Sequence, residues 1–145
     1  MENKNSIVVC VDFDGTCVTH DYPNVGRNIG AAPILRRLVT EGHQLVLFTM
    51  RSDMGVEKGL FKSGLSDAID WFKDNNIPLY GVQRNPTQDS WTVSPKAYGQ
   101  LYIDDAALGA PLKYDNNISD RPFIDWEIVE NLLLRMGVLT DKTKQ

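Results

Sequence analysis

The chain has 145 residues, 42% hydrophobic and 23% charged, with a net charge of -4. That length suits one domain with a real core, and the mild acidity disfavours a general nucleic-acid surface, which needs a basic stripe. No apolar run reaches the length of a membrane span, and polar residues 1–6 lead straight into the first apolar run, so the expectation is a cytoplasmic protein without a signal peptide.

That first run, Ile7-Val8-Val9-Cys10-Val11, is short and β-branched, as suits a central strand buried on both faces. It ends in Asp12-Phe13-Asp14-Gly15-Thr16. Carboxylates beside a low-dielectric core are costly unless they are paired or hold a metal. Residues 18–29 carry turn formers and no period, so they read as a loop containing His20, which reads first as a plain surface histidine and second as one that faces the pocket. Pro33 opens a predicted helix with Ile34, Leu35, Leu38 and Val39 on one face and Gly42 as its stop.

Residues 43–49 form a second apolar strand ending in Thr49. Gly55, Gly59 and Gly64 predict a loop or frayed turn through residues 50–64. Ser66-Asp67 starts a helix that runs to about Asn75, with Trp71 and Phe72 in the core. A third strand covers residues 79–82 and a polar loop residues 83–93. Lys96 precedes a fourth strand, residues 100–103, which ends in Asp104-Asp105. A short fifth strand is expected over residues 112–114. The last helix shows Ile128, Val129, Leu132, Leu133 and Met136 at helical spacing before Gly137. The two cysteines, Cys10 and Cys17, match no redox or disulfide spacing and read as buried thiols.

Strands alternating with helices predict an α/β fold, a three-layer, doubly wound, Rossmann-like parallel sheet. Parallel strands present their C-terminal ends at one edge. Asp12 and Asp14, Thr49, and Asp104 and Asp105 would meet there, with Lys96 near. Crowded carboxylates raise one another's pKa values unless a cation joins them, and hard oxygen ligands suit Mg²⁺. Arg51 and Ser52 follow Thr49 and are the candidates for substrate contact, whereas Lys58, Lys62 and Arg84 read as solvated surface.

Four segments in this order, Asp12-Phe13-Asp14-Gly15-Thr16, Leu47-Phe48-Thr49, Lys96 and Tyr102-Ile103-Asp104-Asp105, resemble the motifs of the haloacid dehalogenase superfamily over residues 7–109. The resemblance implies Asp12 as the nucleophile of an aspartyl-phosphate mechanism and Asp14 as general acid and base. It implies Mg²⁺ held by Asp12, the Asp14 backbone carbonyl and one or both of Asp104 and Asp105. Thr49 and Lys96 would bind the transferring phosphoryl group. Relatives that only store the phosphoenzyme carry Thr at the position of Asp14, so the resemblance points to a phosphatase. Neither interval that hosts a cap domain in that superfamily is long enough here, which implies a capless core with an open site. A small phosphorylated metabolite is the expected substrate, and a second subunit could cover the site. The rival readings are a phosphoacceptor signalling domain, whose motif order differs, and an inactive binding module of the same fold. Neither Gly-rich nucleotide signature is present.

Overall fold

The computed structural model describes residues 5–59 and 64–141; Lys62 and the chain's last four residues lie outside them. Strands β1 (Val8–Val11), β2 (Gln44–Leu47), β3 (Gly81–Val82) and β4 (Leu101–Ile103) form one parallel sheet in the order β3-β2-β1-β4. Helices α1 (Ala31–Thr40), α3 (Leu65–Asp74) and α4 (Trp126–Arg135) flank it, and α2 (Met54–Glu57) is a single turn. The fold is therefore the expected α/β, Rossmann-like one. The chain steps outward from β1 to β3, then returns past β1 to lay β4 on the opposite side. That reversal opens a crevice at the C-terminal ends of β1 and β4, where open α/β sheets bind ligands.

The side-chain alternation of β1 divides the interior. Val9 and Val11, with Leu45, Leu47 and Ile103, face Leu35, Leu38, Phe72, Val129 and Leu133 of the helices. Val8, Cys10 and Val46 face the other way, onto Ala97, Phe48, Tyr80 and Tyr102. Among the described residues no long helix covers this second face. The connection from β3 to β4 does so, and its only regular element is a 3₁₀ turn at Gln88–Ser90. Its sequence is polar, so its buried polar groups bond locally: Gln88 accepts from the backbone N–H of Asn85 and of Tyr98 and donates to the carbonyl of Lys96.

Two predicted elements differ. The expected fifth strand does not join the sheet. As β5 (Leu112–Lys113) it pairs antiparallel with β6 (Phe123–Ile124), a strand the sequence pattern did not reveal because two residues carry no period. Helix α3 starts at Leu65, one residue before the predicted start. Asp67 accepts from the Gly64 N–H at 3.0 Å, and Asp53 accepts from both the N–H and the hydroxyl of Ser66. Among the described residues no helix is long and apolar enough to cross a membrane. His43 is structural: its ring accepts from the Ile7 N–H and donates to the Val138 carbonyl.

The β5–β6 hairpin and α4 brace the acidic turn after β1. Ile124 N–H donates to the Gly15 carbonyl at 2.9 Å. The buried Trp126 indole donates to the Thr16 carbonyl at 2.7 Å. Trp126→Phe keeps most of the ring and deletes this donor. It should cost about 1–3 kcal/mol, and Trp126→Ala about 3–5 kcal/mol, measured by urea unfolding followed by circular dichroism.

Candidate functional site

The ladder hydrogen bonds set the positions of the acidic residues. Asp12 N–H donates to the Ile103 carbonyl at 3.0 Å, so the residue that follows β1 lies beside the end of β4. Asp12, Asp104 and Asp105 thereby bring one carboxylate oxygen each within 4.8 Å of the others. All three are partly buried. Thr16, fully buried, sits among them. Its hydroxyl lies 2.9 Å from Asp12 Oδ2 and 3.3 Å from Asp105 Oδ1, and accepts from the Asp105 N–H at 3.1 Å. A hydroxyl has one proton, so it satisfies one carboxylate at a time. The second oxygen of Asp105 meets His20 Nε2 at 2.8 Å.

Gly15 makes this packing possible. Its φ is +79°, and a Cβ there would lie 2.1 Å from His20 Nε2 and 2.5 Å from Asp105 Oδ2. Beneath the turn, the Cys17 thiol points at the Asp12 carbonyl, 3.3 Å away, and burial pushes its pKa well up. Cys10 and Cys17 are both free and buried, as expected.

The Asp12 carboxyl is pushed up to about 8. Burial is the largest cause; the Asp104 charge and a hydrogen bond with Asp105 add to it, while Thr16 opposes it. Three converging hard oxygens, one held neutral first by burial and then by its acidic neighbours until a cation offsets it, fit a divalent metal of the Mg²⁺ type. Asp14 supplies no carboxylate to this trio. Its side chain turns to Arg51, whose Nε and NH2 bond its two oxygens at 2.8 Å each.

Arg51 was a candidate for substrate contact, yet only 2% of it is exposed. Besides Asp14 it donates to the carbonyls of Pro23, Asn24 and Gly64, and its guanidinium lies 5.1 Å from the ring centres of Phe13 and Tyr22. Ser52, beside it, is exposed and accepts from the Met54 N–H. Thr49 lies two residues past the end of β2, which is shorter than the expected strand over residues 43–49. Its hydroxyl accepts from the Arg51 N–H at 3.1 Å and makes no bond to the acidic trio. Gln83 clamps it, accepting from the Thr49 N–H at 2.8 Å and donating to the Thr49 carbonyl at 2.6 Å. Lys96 is exposed, and among the described residues it makes no ion pair; its ammonium lies 5.8 Å from the ring centre of Tyr102. Lys58 is exposed, and Arg84 pairs with Asp89.

The structure thus brings Asp12, Asp104 and Asp105 together, sets Asp14 with Arg51, and sets Lys96 by the ring of Tyr102. His20 meets the acidic trio, the alternative to a plain surface position. Gln83 and Trp126 carried no usable sequence signal: they are distant in sequence, and the fold alone brings Gln83 to Thr49 and Trp126 to the acidic turn.

No family model matches the chain, and no curated protein matches it. A solved structure, that of a conserved protein from Bacteroides thetaiotaomicron, resembles it with a TM-score of 0.63 and 29% identity over 88% of this chain and 93% of that one. That likeness supports the fold just described and carries no statement of activity.

Two outcomes follow from this geometry. A carboxyl raised from 3.8 to about 8 binds its proton more tightly in the folded state. The stability this gives is full below pH 4 and is lost as pH rises through 8. Metal-free wild type should therefore lose stability relative to Asp12→Asn between about pH 4 and pH 8, and added Mg²⁺ should raise its melting temperature more at pH 8 than at pH 6. For the ion pair, Arg51→Met leaves the Asp14 charge without its partner and should cost about 3–5 kcal/mol. Arg51→Met with Asp14→Asn should cost less than the sum of the single changes, as read by a double-mutant cycle in urea.

Proposed function

We propose that this chain is a capless, Mg²⁺-dependent phosphatase of the haloacid dehalogenase kind, with Asp12 as nucleophile. The observation that carries this reading is the meeting of Asp12, Asp104 and Asp105 within reach of one ion at the sheet's switch point. A bound Mg²⁺ would screen the repulsion between the Asp12 carboxylate and a phosphate dianion and draw charge from the phosphoryl oxygens.

In this reading the Thr16 hydroxyl orients Asp12 through Oδ2, leaving Oδ1 to attack phosphorus. The bond from phosphorus to the leaving oxygen breaks, and Asp14 gives that oxygen a proton. Water then attacks the phosphorus of the aspartyl phosphate, Asp14 takes its proton, and inorganic phosphate leaves as Asp12 is restored. For each proton transfer Asp14 frees one oxygen from Arg51, whose carbonyl contacts keep it in place. Lys96 reaches the phosphoryl group by swinging its flexible stem from Tyr102, and Thr49 presents its hydroxyl from past the end of β2. The open crevice takes a small phosphorylated metabolite in the cytoplasm.

A second reading has its own support. Both Asp14 oxygens are engaged by Arg51, which would slow the second step and leave a long-lived phosphoenzyme, as in a phosphoacceptor domain.

One experiment tests both. Phosphate release is measured over a panel of phosphomonoesters with and without Mg²⁺, alongside labelling by an acyl-phosphate donor. The phosphatase reading expects Mg²⁺-dependent turnover that Asp12→Asn lowers by about 10³ or more. Stable labelling of Asp12 without turnover favours the phosphoacceptor. Neither turnover nor labelling by a folded protein overturns the proposal.

A further inference from the structure

We infer that the outer face of α4 is a homodimer interface, in which two copies pair their α4 helices antiparallel about a two-fold axis. The inner side of α4, Trp126, Val129 and Leu133, is buried in the core. Its outer side carries Ile128, Leu132 and Met136, which are 43%, 41% and 57% exposed. Single exposed apolar side chains are ordinary, but these stand one turn apart in a continuous row. Leu132 and Met136 also line a groove of about 220 Å³ against Leu101, Ile103 and Leu108. Leu108 stands fully in solvent at that groove. Beside it lies β4, the end strand of the sheet.

The charges select the occupant. A second row, Glu127, Asn131 and Arg135, runs along α4 next to the apolar one with the same spacing, and all three residues are exposed. Among the described residues neither Glu127 nor Arg135 makes an ion pair. An antiparallel second copy sets Ile128 against the partner's Met136 and Leu132 against the partner's Leu132. The same placement sets Glu127 against the partner's Arg135 and Asn131 against the partner's Asn131. The two rows are centred on Leu132 and Asn131, one residue apart, a separation of about 1.5 Å along the axis. A single two-fold axis therefore serves both rows, as a self-complementary interface requires. A parallel pairing would oppose Glu127 to Glu127 and Arg135 to Arg135.

The test is sedimentation velocity of the full chain from about 1 to about 100 μM, with circular dichroism to verify that each variant is folded. The wild type is expected to form dimers as concentration rises, and Leu132→Glu to remain monomeric throughout. Arg135→Glu should weaken the dimer about tenfold by opposing like charges, and Glu127→Arg added to Arg135→Glu should restore it. A wild type that stays monomeric overturns the proposal. So does a dimer indifferent to Leu132→Glu, which would put the dimer contact on another face, or a double variant that does not recover. None of these outcomes depends on phosphatase activity.

Discussion

Everything near the crevice answers to one electrostatic constraint: three carboxylates in a volume fit for one ion, at the edge of an apolar core. The parallel ladder imposes the arrangement, because Asp12 is hydrogen-bonded to the last residue of β4 and two more acids follow that residue. The local structure then contains the repulsion. Thr16 offers one proton to two carboxylates, His20 bonds the free oxygen of Asp105, and Asp12 holds its own proton up to about pH 8. Such a site is at rest with a proton or a divalent cation and strained with neither.

Two residues along the chain, Asp14 meets the opposite environment. Where Asp12 faces like charge, Asp14 faces a guanidinium held by three backbone carbonyls and the rings of Phe13 and Tyr22. Phe13, between the two acids, points into the core and forms part of the bed for Arg51. Acids with different surroundings on one turn can take different roles in one reaction. Strand alternation alone would set residues two apart on the same side; the chain leaves β1 at Val11, and the turn that follows separates the two acids.

The fold and the acidic trio were legible because they rest on local rules. An apolar β-branched run, its charged end and the spacing of Leu35 and Leu38 are short-range facts, and the convergence of strand ends follows from parallel topology. Arg51 was misread for the same reason. Next to Thr49 it reads as a reaching cation, and its burial depends on carbonyls from residues 23, 24 and 64, which no local pattern brings near. Lys96 was expected near the crevice from its position ahead of β4; its ammonium lies 5.8 Å from the ring centre of Tyr102, in the middle of that strand. The last helix was found from its apolar spacing, which included Ile128, Leu132 and Met136. Periodicity reports that such residues share a side of the helix, not that the core takes that side. β5 was expected as a strand, but its partner β6 was missed because two residues carry no period.

The order of the strands also governs how the chain matures during synthesis. β1 pairs on one side with β2, some 36 residues on, but its other neighbour begins only at Leu101. At about 5–20 residues per second, a ribosome leaves that edge of β1 without its strand for several seconds after β2 has emerged. The nascent chain therefore holds its most apolar strand half-paired, with the acidic turn at its tip still unbraced, until α4 arrives. Assembly of the crevice is one of the last events of folding, so a truncated product would expose a sticky strand rather than a weakened site.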